Sequence, residues 1–253
     1  MTPFLGPHAL PDHIFFVVLV VLSPLIDLWA FPWLKRAIAA GNANARLRFY
    51  LIGILTQWTF SACVVAIWIS QARPWAALGL GSGRPVGMPI TLTLALIYVG
   101  LAVAQRRALL KRTERFARLR EKMAYGEALL PHTPAEHSRF MLLAVTAGVC
   151  EEFLYRGFVM WYLGVWLGLV PAVLISSVAF GFAHLYLGVP HVWKTSITGL
   201  ILALFVVGAG ALWPAMIVHA TIDLLSGNIG FHILSHPAAP LDPPAAPPPA
   251  RNL

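Results

Sequence analysis

Apolar runs recur along the chain, each near the ~20 residues that a helix needs to cross a bilayer core. Seven are read, at about 14–34, 49–70, 87–104, 140–163, 167–188, 193–210 and 212–231. The third is the shortest. Little more than Gly210 separates the last two, so a tight hairpin and one broken helix are both open. The pattern predicts an all-α polytopic transmembrane bundle of about seven spans, one domain over residues 1–236.

The polar stretches between the runs set an orientation. Segment 35–48 holds Lys35, Arg36, Arg46 and Arg48 without an acid, and segment 105–139 holds nine Lys and Arg. The alternate loops are poorer, with Arg73 and Arg84 in one and no basic residue around 164–168 or 208–212. Basic residues favour the cytoplasmic side. This predicts an outside N-terminus and a cytoplasmic C-terminus.

No Lys or Arg precedes the first run and no small-residue cleavage site follows it, unlike a cleaved signal peptide. Within 105–122, Leu109, Leu110, Phe116 and Leu119 suggest a basic amphipathic helix on the inner leaflet. Residues 237–253 are proline-rich and predict a disordered cytoplasmic tail that is not itself a prenylation motif.

Composition narrows the class. Hydrophobic residues make up 58% and charged ones 11%, against about 25% charged in soluble domains. A mean hydropathy of +0.75 agrees. Soluble, disordered and disulfide-scaffold classes are excluded. The net charge of +8 is explained by basic loops beside the lipid bilayer, so no nucleic-acid partner is expected. Cys63 and Cys150 lie in apolar runs and read as small buried hydrophobes.

The informative residues are the ionisable ones inside the runs: Asp27, Glu151, Glu152, Arg156, His184, His219 and Asp223. A charge at mid-bilayer costs at least ~2.5–3.5 kcal/mol, so such groups pair, line water or serve function. Glu152 and Arg156 are one helical turn apart and read as an ion pair. Glu151 is rotated by about 100° from Glu152 and is left to act as a general base. Phe180 and His184 share a helix face, as do His219 and Asp223, where the aspartate is expected to orient the imidazole. Asp27 follows Pro24 and reads as a cap of the kink there.

Together EExxxR (Glu151, Glu152, Arg156), FxxxH (Phe180, His184) and HxxxD (His219, Asp223) resemble the CPBP family of intramembrane proteases. That family includes the type II CAAX prenyl endopeptidases and bacterial relatives. The resemblance covers residues 138–231. Asp223 stands where the prenyl endopeptidases typically carry asparagine. The resemblance implies a helical bundle around a conical cavity open to the cytosol, in a bacterial cytoplasmic membrane. It implies an endopeptidase acting on a membrane-associated protein or peptide. Glu151 and His184 would activate water, and His219 and Asp223 would stabilise the oxyanion or help bind a metal. Glu152 and Arg156 would support the site. Both a metalloprotease, with Zn²⁺ on Glu151, His184 and His219, and a metal-free glutamate mechanism are implied. The competing readings are a non-catalytic immunity or scaffold protein and a proton-coupled transporter.

Overall fold

In a computed structural model, residues 8–112, 116–124 and 126–235 are described, and the proline-rich tail lies outside them. Among the described residues the chain is all helical and has no strand. Seven long helices and one short one follow in order: α1 Leu10–Ala39, α2 Ala45–Ser70, α3 Gly87–Leu110, α4 Phe116–Met123, α5 134–167, α6 Leu169–Ala183, α7 Val189–Ala209 and α8 Trp213–Ser235. Each expected span falls on one long helix. Five of them (α1, α2, α3, α7 and α8) are long and apolar enough to cross a membrane. The apolar α6 is shorter.

The element ends differ from the sequence expectation for local reasons. Helix α5 starts six residues early, because Thr133 and Glu136 form a reciprocal capping box with Pro134 in the first turn. Helix α6 stops at Ala183, and a short 3-10 turn, Leu185–Leu187, follows His184. Segment 105–122 is not one surface helix. Helix α3 carries residues 105–110, and only Phe116–Met123 forms a separate helix, with Phe116 buried.

Of the two readings at Gly210, the tight hairpin is observed. Gly210 takes the left-handed φ of 67° that a side chain resists. The glycine-rich loop before α3 docks on this hairpin. Arg84 N–H donates to the Ala209 carbonyl (2.7 Å) and Leu212 N–H to that of Gly79 (2.9 Å). The Trp213 indole reaches the Gly81 carbonyl (3.0 Å).

At the same end of the bundle, Arg73 forms a bidentate pair with the fully buried Asp12 (2.7 and 2.6 Å). Its guanidinium also lies over the rings of Trp68 and Trp161. Asp12 thus offsets one of the two basic charges in the α2–α3 loop.

The core brings together Val64, Trp68, Phe153, Phe158, Phe180 and Leu202 from four helices. Ile52, Trp58, Leu101 and Trp193 point outward, as lipid-facing surfaces require. Helix α5 packs most extensively on α8, and α6 on α7.

One contact decides how close α5 and α8 come. A Cβ on Gly148 would lie 2.5 Å from the Ala220 backbone nitrogen, which cannot swing aside. Small residues permit such approach between membrane helices. Gly148→Leu is therefore expected to destabilise the detergent-solubilised protein by at least the ~1–3 kcal/mol typical of overpacking. A thermal melt equal to that of the parent chain would show that the close crossing is not required.

Candidate active site

The polar groups of the membrane interior gather where α5, α6, α7 and α8 meet. Helix α5 becomes π-helical over Glu152–Val159, and every residue in that stretch is buried. The extra residue per turn widens the helix locally, a feature frequent at functional sites. An ordinary α-helix was expected here, and the apolar periodicity gives no sign of the change.

Glu152 is the joint of the site. Its Oε1 accepts from Arg156 Nη1 at 2.9 Å, and both side chains are fully buried. This is the pair expected from the one-turn spacing. The same oxygen lies 2.8 Å from His219 Nδ1. Arg156 also donates from Nη2 to the Gly199 carbonyl on α7 (2.9 Å). Its guanidinium lies 4.2 Å from the Phe180 ring centroid on α6.

The hydrogen bonds fix which imidazole nitrogens carry protons. His184 Nδ1 lies 2.9 Å from the Phe180 carbonyl. A carbonyl only accepts, so Nδ1 bears the proton and Nε2 presents a lone pair in the neutral ring. The carboxylate of Glu152 likewise places a proton on His219 Nδ1. His219 Nε2 then faces Asp223 Oδ2 at 3.6 Å and Glu151 Oε2 at 3.8 Å. Those separations are ion-pair distances, too long for hydrogen bonds. Asp223 was expected to orient this imidazole; Glu152 makes the orienting hydrogen bond.

The two glutamates differ in access. Each has a buried Oε2 without a hydrogen-bond partner among the described residues. The Glu151 side chain is 17% exposed, while that of Glu152 is 0% exposed. The Glu151 side chain is thus the more open of the two, although its Oε2 is buried. Its Oε1 accepts from Gln57 Nε2 on α2 at 3.0 Å. Gln57 was missed because the sequence was searched for ionisable groups, and a neutral amide does not stand out there.

Phe180 holds both imidazoles, with ring centroids 4.9 Å from His184 and 5.7 Å from His219. Tyr186 stacks on His184 and meets Phe31 of α1 edge-on. Asp27 lies one turn before Phe31, in a stripe with buried Leu19, Phe31 and Leu34, yet it keeps partial exposure. It makes no hydrogen bond to a described residue, so it caps nothing, and it lies within electrostatic reach of Glu151.

Glu151, His184 and His219, the donors expected for Zn²⁺, do not form a metal-holding set as placed. Among the described residues no three His, Cys, Asp or Glu side chains do so.

Residues 134–225 match the family model of type II CAAX prenyl endopeptidase Rce1-like proteins. The match starts in the first turn of α5 and ends two residues past Asp223, so it takes in all three motifs. Neither the curated proteins nor the solved structures give a match to the chain.

Removing Arg156 leaves Glu152 with only His219 beside it, and breaking a buried pair typically costs about 3–5 kcal/mol. Arg156→Ala is expected to lower both the melting temperature in detergent and the yield of folded protein in membranes. A variant as thermostable as the parent would show that the pair does not support the fold.

Proposed function

We propose that this chain, whose residues 134–225 match the type II CAAX prenyl endopeptidase Rce1-like family model, hydrolyses a peptide bond of a membrane-associated protein or peptide. The observation that carries the reading is the meeting of a partly exposed glutamate, Glu151, with the His219 imidazole inside an apolar bundle, with His184 held against the same Phe180 ring as His219. Neither a scaffold nor an immunity protein needs that arrangement.

Glu151 is the base. It takes a proton from water, and the hydroxide oxygen attacks the carbonyl carbon of the scissile bond. His184 accepts a hydrogen bond from the same water at its free Nε2 and orients it. With both ring nitrogens protonated, His219 donates from Nε2 to the developing oxyanion while Glu152 holds Nδ1. Protonated Glu151 then gives its proton to the leaving amine as the C–N bond breaks. Glu152 and Arg156 position His219 without touching substrate. Asp223 faces the same nitrogen and balances its charge. The steps use the chain's own groups.

The basic charge of Lys35, Arg36 and residues 105–112 favours a cytoplasmic position for that end of the bundle. With Cys63 replaced by Ala, a cysteine introduced at Arg107 should react with an impermeant reagent only after permeabilisation. Ready labelling in intact cells would reverse the orientation.

The chemical test begins with terminal proteomics of cells carrying the parent chain or Glu151→Gln, to find a substrate end that only the parent produces. Purified parent and variant are then compared on that substrate. Glutamine keeps shape but removes the base, so cleavage should fall ~10²–10⁴-fold with no change in folding. Equal cleavage would remove Glu151 from the mechanism. Loss of cleavage in chelator, restored by Zn²⁺, would replace the metal-free route with a metal-assisted one.

A further inference from the structure

Two pockets of about 200 Å³ each open between α3, α7 and α8. One is lined by Ile201 and Phe205 of α7 and Val218 of α8, the other by Ala102 and Arg106 of α3 and Leu225 of α8. Tyr98 and Ile222 line both, so the two form one groove.

The groove has the dimensions and polarity of one leaflet. From Tyr98 to Leu109 it follows α3 for about 16 Å, close to half of a ~30 Å hydrocarbon core. Its wall is mostly apolar, with Tyr98 and Thr198 as the polar groups of the first pocket and Gln105, Arg106 and Ser226 gathered at the basic end.

Arg106 is built into that end. Its Nε donates to Asn228 Oδ1 at 2.7 Å, and Nη2 donates to the same oxygen. Asn228 is in turn 3.3 Å from His137 Nε2. The amide fixes the guanidinium but is neutral, so the positive charge is held without being cancelled. Among the described residues no carboxylate forms an ion pair with Arg106, and residues 105–112 include Arg107, Lys111 and Arg112 with no acid.

We propose that this groove is a binding site for a phospholipid with an anionic headgroup, its acyl chain between α3 and α8 and its phosphate on Arg106. A neutral lipid would fill the apolar part equally well. The charge at the mouth selects the anionic one, as basic pockets between membrane helices do. Ile222 lines the groove and Asp223 follows it on α8, so the occupant rests on the helix that carries His219. The inference is independent of whether the chain cleaves peptides.

The test uses the full chain in detergent, incubated with phosphatidylglycerol or phosphatidylcholine and examined by native mass spectrometry. The parent should retain one phosphatidylglycerol about fivefold more than phosphatidylcholine, the preference of about one cationic contact. Arg106→Gln should lose the preference, Arg106→Lys should keep most of it, and Ala102→Trp should abolish retention of both lipids by filling the groove. Arg48→Gln, an exposed basic residue on α2, should change nothing. Equal retention of the two lipids by the parent would overturn the proposal. So would an undiminished preference in Arg106→Gln, retention by Ala102→Trp, or displacement of the lipid by a farnesylated peptide at equal concentration, which would assign the groove to a substrate.

Discussion

A carboxylate held in an apolar interior must find partners, and Glu152 finds two on one oxygen. Most of the bundle's interior arrangement follows from that requirement. Arg156 neutralises the charge from within α5. His219 brings α8 to the same atom, at the level where Gly148 lets the two backbones meet. The remaining donors of Arg156 and its flat face engage Gly199 on α7 and Phe180 on α6. One buried anion therefore ties together four helices. Apolar contacts alone give little orientation among helices surrounded by lipid.

The π-helical stretch works with this joint. Eight successive residues are buried there, so α5 has no lipid-facing side over Glu152–Val159. Within it Glu152 meets Arg156 and His219, and both Arg156 and Tyr155 pack on Phe180. Glu151, just before the widening, keeps the outlook of the preceding α-helix, toward Gln57 of α2 and the accessible side. Two adjacent glutamates thereby acquire different environments, one fully sealed and one partly exposed. Separating acid and base roles depends on such a difference in surroundings.

The number of long helices and their order were legible because every long apolar run in this chain is a helix, and lipid rewards no other open structure. The groups that meet at the site were legible because charges in hydrocarbon stand out. What stayed hidden was of two kinds. Gln57 and Tyr186 are polar but uncharged, and a span can carry them without comment. The exchange of Asp223 for Glu152 as partner of His219 depends on the angle between α5 and α8, which the spacing within α8 cannot reveal. The capping box at Thr133 and Glu136 is written in the sequence, but the longer apolar run beyond it drew the helix start inward.

The place of Arg156 one turn from Glu152 has a consequence for how the protein is made. Helix α5 leaves the ribosome before α6, α7 and α8, while His219 and Gly199 are still untranslated. Had the partner of Glu152 stood on α8, the translocon would meet an anion and later a cation on separate segments, each facing the full insertion penalty alone. Because the pair is internal to α5, most of the charge is cancelled as soon as that helix forms. The newborn segment can then wait in the bilayer for its later neighbours, carrying Glu151 as its main burden.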